Sequence, residues 1–186
     1  MEELEKLDKN KDAWYVMRVT YQREIFASKI LDEMNIKNFV PTQRTKTRNS
    51  QGVSIGWRVE PLVHNYIFIF SNFNRIMELK RGKLEFLRFL MNKNAGDIMT
   101  PQTVREKEML NFIKIVNTNK AVLLDASINL KKGEKVRVLT GVFEGVEGTL
   151  VTMPNKRTKR VVVKIEGVAA VATISLSNRD VERIIQ

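Results

Sequence analysis

The segment with the most closely spaced glycines, residues 131–165, most constrains what this chain can fold into. It contains three short runs of alternating apolar residues, over 136–138, 149–152 and 161–165. Such alternation predicts strands that turn one face inward. Glycines between the first two runs supply positive φ angles and close backbone approach at the corners of a small barrel. The segment therefore predicts a small β-barrel, and its β-branched residues oppose a helical hairpin here.

Composition limits the classes of function. The chain has 186 residues and a net charge of +11, spread over both halves, which suits either a polyanionic partner or simply a basic surface. The absence of cysteine and the single histidine, His64, argue against disulfides, thiolate chemistry and a zinc site. No apolar run approaches the roughly 18 residues of a membrane span. The charged first dozen residues do not resemble a signal peptide, so we expect a cytoplasmic protein.

Upstream of the glycine-rich segment, helical and strand patterns alternate. The predicted elements are strand 14–20, helix 22–34, strands 39–46, 55–59 and 66–70, helix 72–80 and strand 85–91. A further helix is predicted to open at Thr100–Pro101, with Thr103 as its N-cap. Apart from one additional strand, this is the β-α-β-β-α-β order, which predicts an α+β, ferredoxin-like domain.

Several short motifs occur in a characteristic order. They are WYV at 14–16, FVP at 39–41, PLVHNYIFIF at 61–70, the Thr-Pro pair before a helix, and a glycine-rich segment that resembles a KOW motif. The ordered set resembles the NusG family of transcription elongation factors. The resemblance implies a ferredoxin-like NusG N-terminal (NGN) domain over 13–117, a linker over 118–130, and an SH3-like KOW β-barrel over 131–186.

One stretch distinguishes members of that family. Glu60-Pro61-Leu62 followed by Asn65-Tyr66 is similar to the specialised antiterminators of the RfaH kind, whereas housekeeping NusG usually has Pro-Gly before this tyrosine. The compact build and basic character of the chain are similar to the UpxY-type regulators of surface-polysaccharide operons. The resemblance implies a monomeric factor that binds RNA polymerase, suppresses pausing or termination, and recruits a partner through the KOW domain. Two alternatives stay open, which are a housekeeping NusG coupled to Rho or the ribosome, and a ribosome-associated RNA-binding protein.

Aromatic residues alternate along the strand predicted at 66–70. Tyr66, Phe68 and Phe70 share one face of it. The resemblance assigns an apolar depression for the polymerase clamp helices to Leu62, Val63, Tyr66 and Phe68. From the residues alone, a plain core is the favoured interpretation of Phe68 and Phe70, and Phe70 is predicted to be a core residue. No nucleophile or carboxylate cluster accompanies His64, so we expect no enzyme, catalytic residue, cofactor or metal.

Basic residues alternate along the strand before the predicted hairpin tip at 49–52. Arg44, Lys46 and Arg48 form a row with about 7 Å between neighbours. With Arg58 on the return strand they predict a basic hairpin. The resemblance implies that this hairpin contacts the non-template DNA or the nascent RNA. A charged edge that prevents self-association is the alternative. Trp14 and Trp57 are predicted to be packing residues.

A dense positive cluster lies in the predicted barrel. It consists of Lys156, Arg157, Lys159 and Arg160. These side chains suit contacts with RNA or an acidic protein, or a solvated turn. Phe143 stands where the family docks partners such as a small-subunit ribosomal protein or Rho, and it suits a barrel plug equally well.

Overall fold

The computed structural model describes residues 8–93, 98–118, 121–124, 133–153, 158–173 and 175–184. The chain divides into two compact units: Met1–Pro41 with Val63–Glu106, and Thr42–Leu62 with Lys107–Gln186. The helices are α1 (Glu24–Glu33), α2 (Phe73–Lys80) and α3 (Glu106–Asn117). The first nine strands are β1 (Ala13–Val19), β2 (Asn38–Phe39), β3 (Thr42–Arg48), β4 (Ser54–Pro61), β5 (Tyr66–Ser71), β6 (Leu87–Phe89), β7 (Met91–Lys93), β8 (Met99–Pro101) and β9 (Thr103–Val104). The later strands are β10 (Val122–Leu124), β11 (Glu134–Val138), β12 (Glu147–Thr152), β13 (Lys159–Ile165), β14 (Ala169–Ala172) and β15 (Val181–Arg183).

The first unit is built on one antiparallel sheet that packs against two helices. Its strands run in the order β2–β5–β1–β6 with antiparallel neighbours, and β9 also pairs with β1. Alternate residues of β1 and β5 share one hydrophobic core with α1 and α2: Tyr15, Met17, Val19, Ile67 and Ile69 from the strands, and Ala27, Ile30, Leu31, Ile76 and Leu79 from the helices. The remaining residues of these strands therefore lie on the face of the sheet away from α1 and α2, which we term the distal face.

Local signals explain how α2 begins and ends. The Asn72 side chain accepts a hydrogen bond of 2.9 Å from the backbone N–H of Arg75, so Asn72 is the N-cap. The helix ends at Lys80, and Gly82 follows two residues later. These boundaries agree with the helix predicted over 72–80.

The helix predicted to open at Thr100–Pro101 begins later, and Thr103 is not its N-cap. Thr103 pairs with Tyr15 in the first sheet, and the backbone N–H of Val16 donates to Gln102 O at 3.1 Å. Pairing with a neighbouring strand overrides the local capping signal here. The strand predicted over 85–91 is likewise shorter, because Met91 pairs with Pro101 in a separate β7–β8 ribbon.

A two-stranded hairpin is formed by β3 and β4. Its tip is closed by Asn49, whose backbone N–H donates to Val53 O and whose side chain accepts from the Val53 N–H, both at 2.9 Å. The hairpin tip therefore lies where the sequence predicts it. The single strand predicted over 39–46 is interrupted at Val40 and Pro41.

The glycine-rich segment forms strands, as predicted. The second sheet has the antiparallel order β10–β14–β13–β12–β11–β15. Among the described residues no pairing joins the two end strands, so the sheet is an open path and not a closed barrel. A Cβ atom at Gly148 would lie 2.6 Å from Val162 O, so the close approach of β12 to β13 requires glycine there.

Helix α3 contacts the loop that leads into β12. Lys107 Nζ lies 2.7 Å from Glu147 Oε2, and Asn111 Oδ1 accepts from the Glu147 N–H at 3.2 Å. Lys114 Nζ donates to the carbonyl oxygen of Glu144. The hydrogen bond from Lys107, and then that from Arg137, holds the pKa of Glu147 below its ordinary value. The predicted domain boundaries stay predictions, because much of 118–132 lies outside the described residues.

Candidate functional site

The distal face of the first sheet has a buried centre. Trp14, Val16 and Phe68 are each no more than 1% exposed. Val16 lies opposite Phe68 and Trp14 lies opposite Phe70 in the β1–β5 register. Trp14 is therefore a packing residue, as predicted.

One end of the distal face is accessible. Arg18 lies opposite Tyr66 on one side and opposite Arg88 on the other, so the three side chains form one row across the sheet. Both arginines are exposed and Tyr66 is partly exposed. The row presents a phenol ring beside the Arg18 guanidinium, with Arg88 on the far side of Arg18. Arg18 and Arg88 were not predicted as site residues, because their place beside Tyr66 depends on the strand register.

A buried carboxylate holds the turn before Tyr66. The Glu24 side chain is 0% exposed, and one of its oxygens accepts a hydrogen bond from the backbone N–H of Asn65. Asn65 has a left-handed backbone with φ of 67°, and its carbonyl accepts from the Val19 N–H at 2.9 Å. Glu24 thus fixes the turn that carries exposed His64 and leads into Tyr66. No sequence pattern indicates this role, since Glu24 resembles an ordinary polar residue at a helix start.

The hairpin carries the predicted basic row. Arg44, Lys46 and Arg48 are all exposed along β3. Lys46 lies opposite Trp57, and Arg44 lies opposite Val59. We term Arg44, Lys46, Arg48, Trp57 and Val59 the cationic-aromatic face.

Two predictions for the hairpin need correction. Arg58 lies opposite Thr45, on the other side from the basic row, and its Nη2 is 2.8 Å from Glu60 Oε2. Alternation along a strand puts Arg58 and Trp57 on opposite faces, so Arg58 cannot join the row. Trp57 is 61% exposed, with Lys46 Nζ 5.5 Å from its ring centroid, so it is not a packing residue in the described structure.

Comparison with known proteins fixes the family. A family model described as "NusG: Transcription termination factor nusG" matches residues 12–114, more than half of the chain. The chain belongs to the NusG family. Membership indicates a factor of transcription elongation or termination. A solved structure described as "Domain interaction in Thermotoga maritima NusG" is similar over 94% of this chain and 98% of that chain, with 18% identity and a TM-score of 0.43. No curated protein matches the sequence.

The four residues assigned to polymerase binding in this NusG-family chain differ in their exposure to solvent. Tyr66 and Leu62 are partly exposed, whereas Val63 and Phe68 are buried. Phe68, in the central strand between β1 and β2, is 0% exposed, so a partner docking on the folded chain cannot reach it. The accessible surface therefore includes fewer residues than the four assigned to polymerase binding, and it centres on Tyr66.

The residues assigned to a second partner of the NusG-family chain have different environments. Phe143 is 1% exposed, which favours the barrel-plug alternative over a docking residue. Its neighbours Leu139 and Val142 are exposed instead. Lys159 and Arg160 are half-buried, and Arg160 Nη1 donates to Thr173 O at 2.9 Å. The predicted contacts of Lys156 and Arg157 lie outside the described residues.

Metal ligands and membrane spans are both absent from the part of the chain that the structure describes. These residues contain no group of three or more histidine, cysteine, aspartate or glutamate side chains placed to hold a metal ion. Within the same residues, none of the helices combines the length and the apolar character needed to cross a membrane.

Proposed function

We propose that this NusG-family chain is an elongation factor of the antiterminating kind, which binds the clamp helices of RNA polymerase through the accessible end of the distal face. The observation that carries the proposal is Tyr66, a partly exposed aromatic beside exposed Arg18, at the rim of a buried apolar centre. Tyrosine and arginine are the residue types that most often dominate binding energy at protein interfaces. The buried Glu24 supports the site by holding the adjacent turn in one conformation.

The turn itself supports the specialised kind. Housekeeping members usually place glycine directly before the tyrosine, and this chain places Asn65 there. Asparagine is among the few residues other than glycine that adopt the left-handed conformation readily, as Asn65 does with φ of 67°. Asn65 therefore adopts a conformation that is open to glycine as well, while the turn carries the side chains of His64 and Asn65.

The proposed action is a shift between polymerase conformations and requires no chemistry by the factor. A ligand that binds the elongating conformation more tightly than the paused one raises the population of the former. Within this proposal, residues 13–117 form a ferredoxin-like NGN domain, 118–130 a linker, and 131–186 an SH3-like KOW barrel. This C-terminal domain recruits a protein partner, and Leu139 and Val142 are two exposed apolar side chains in it that such a partner could contact.

Transcription by purified polymerase tests the proposal. The template carries one strong pause site followed by a Rho-dependent terminator. We expect added wild-type protein to shorten the pause and to raise readthrough of the terminator in the presence of Rho. Lower readthrough with Rho would favour the housekeeping alternative. No effect on either quantity, together with tight RNA binding in the absence of polymerase, would favour the ribosome-associated alternative.

A further inference from the structure

An open pocket lies on the helix side of the first sheet, away from the distal face that carries Tyr66. Its volume is about 240 Å³, and its apolar lining comes from Met34, Leu79 and Leu84. Leu79 and Leu84 belong to the core shared by α1 and α2, so the pocket is an opening onto that core. A cavity of about 150 Å³ holds a benzene molecule, so this pocket has room for an aliphatic side chain the size of leucine.

Charged side chains stand at the rim of this pocket. The polar part of the lining comes from Arg75, Glu78 and Lys83. Arg75 Nη1 lies 3.1 Å from Glu78 Oε2, so the carboxylate balances one of the two cations. The exposed Lys83 leaves the rim with a net positive charge. The pocket therefore favours an apolar side chain that is flanked by carboxylates.

The first described residues of the chain are fixed beside the same helix. The backbone N–H of Asn74, in the first turn of α2, donates to Lys9 O at 3.3 Å. Asn74 Nδ2 also donates to Asn10 Oδ1 at 2.9 Å. Asn74 directly precedes Arg75 of the pocket rim. Residues 1–7, which lie outside the described residues, are therefore tethered close to the pocket.

The composition of residues 1–7 is complementary to the pocket. Their sequence is MEELEKL, in which three glutamates and one lysine give a net negative charge. Leu4 stands among the glutamates, with Glu3 and Glu5 as its direct neighbours. The segment thus supplies an apolar side chain flanked by carboxylates, which is the chemistry that the pocket favours.

We propose that residues 1–7 dock on this pocket of their own chain, with the Leu4 side chain in the pocket and Glu3 and Glu5 beside Lys83. The reach suffices, because Leu79 lies five residues after Asn74, about 8 Å along a helix, and Leu4 lies five residues before Lys9. Tethering gives the segment an effective concentration on the order of millimolar, so a weak contact is populated. The docking covers the opening onto the core and is independent of the proposed polymerase contact.

Nuclear magnetic resonance of the full chain, with labelled leucine methyl groups, tests the docking. We expect nuclear Overhauser cross-peaks between the methyl groups of Leu4 and those of Leu79 or Leu84. Leu4→Asp should shift the methyl signals of Leu79 and Leu84, because it removes the side chain that fills the pocket. Val53→Asp makes a similar change at a residue that is 57% exposed in the hairpin, and should leave those signals in place.

Charge reversal tests the role of the rim. Lys83→Glu should weaken the Leu4 cross-peaks at low salt, because it places a carboxylate beside the glutamates of the segment. Glu3→Lys combined with Glu5→Lys should restore the cross-peaks in the Lys83→Glu chain. Arg88→Glu makes the same change of charge on the distal face and should leave the cross-peaks unchanged.

Several results would overturn the proposal. These are the absence of cross-peaks from Leu4 to Leu79 and Leu84 in the wild type, equal effects of Leu4→Asp and Val53→Asp, or equal effects of Lys83→Glu and Arg88→Glu. Cross-peaks found only between differently labelled molecules in a mixed sample would assign the pocket to a second copy of the chain, and would also overturn docking within one chain. The experiment contains no polymerase, so its outcome is independent of the proposed function.

Discussion

Strands β4 and β5 carry similar aromatic alternation and have opposite environments. Phe68 in β5 is 0% exposed and Trp57 in β4 is 61% exposed. Strand β5 lies between β1 and β2, and Val16 of β1 lies opposite Phe68 on the distal face, whereas β4 pairs with β3 alone among the described residues. Alternation therefore decides which residues share a face, and the number of neighbouring strands and layers decides whether that face meets water.

The same comparison indicates which strand residues are available to bind a partner. Residues of the central strand serve mainly the core, and Tyr66 at its start remains partly exposed. Most residues of β4 are exposed, and so are alternate residues of β3, so these side chains are available to a partner. A strand with few neighbours is thus a better place for an exposed aromatic ligand contact than a strand inside the sheet.

The largest expected effect is a difference in unfolding free energy between substitutions of Phe68 and of Trp57. Phe68→Ala removes a fully buried ring, and we expect it to lower the free energy of unfolding by about 3–5 kcal/mol. Trp57→Ala, at an exposed site, should change that free energy by no more than about 0.5 kcal/mol. Urea unfolding followed by circular dichroism measures both values. Similar losses from the two variants would show that the hairpin is packed, and would contradict the comparison.

A second prediction concerns the buried carboxylate behind the accessible end of the distal face. Glu24→Ala leaves the backbone N–H of Asn65 without its acceptor, and we expect a loss of about 1–3 kcal/mol in unfolding free energy. Glu24→Gln keeps an acceptor oxygen and should lose less. Glu33→Ala, at an exposed position of the same helix, is the matched control. Equal losses from Glu24→Ala and Glu33→Ala in urea unfolding would rule out a positioning role for Glu24.

The smallest effect is a dependence on pH in the second unit. Hydrogen bonds from Lys107 and then Arg137 lower the pKa of Glu147 in the folded chain, so this carboxylate stabilises the fold above its ordinary pKa of 4.5. The stabilisation is lost as the pH falls below 4.5 and through the lowered value. Because Lys107 is exposed, we expect at most about 1 kcal/mol. Urea unfolding of wild type and Glu147→Gln between pH 7 and acid measures it.

The control for that titration is Glu108→Gln, which alters an exposed carboxylate of α3. Its dependence on pH should follow that of the wild type, whereas Glu147→Gln should show a smaller loss of stability on acidification. If both variants show the wild-type dependence, the ion pair between α3 and Glu147 contributes nothing to stability.

Local sequence patterns predicted the features that depend on a few neighbouring residues. Asn72 begins α2, the hairpin turns at Asn49, and the glycine-rich segment forms strands where apolar residues alternate. Family motifs also led to Tyr66, which is accessible. The first three features follow from backbone preferences or from periodicity within a short window, whereas the assignment of Tyr66 came from the family resemblance.

The features that sequence patterns did not predict depend on contacts between distant parts of the chain. Thr103 joins a strand because Tyr15 offers it a pairing partner, and no local pattern reveals that. Phe143 is buried and Trp57 is exposed because of the layers packed around them, not because of residue type. Glu24 reaches a turn 41 positions away. Only three-dimensional proximity identifies such residues.

Binding to purified core RNA polymerase, without nucleic acid, tests the central claim most directly. Titration of labelled full-length chain should show saturable binding, and Tyr66→Ala should weaken it by about thirtyfold, as expected for loss of an interface aromatic worth about 2 kcal/mol. Met34→Ala truncates a side chain that is 39% exposed at the end of α1, on the other face of the sheet, and should bind like wild type. Failure of the wild type to bind polymerase, or equal binding by Tyr66→Ala and wild type, would contradict the account.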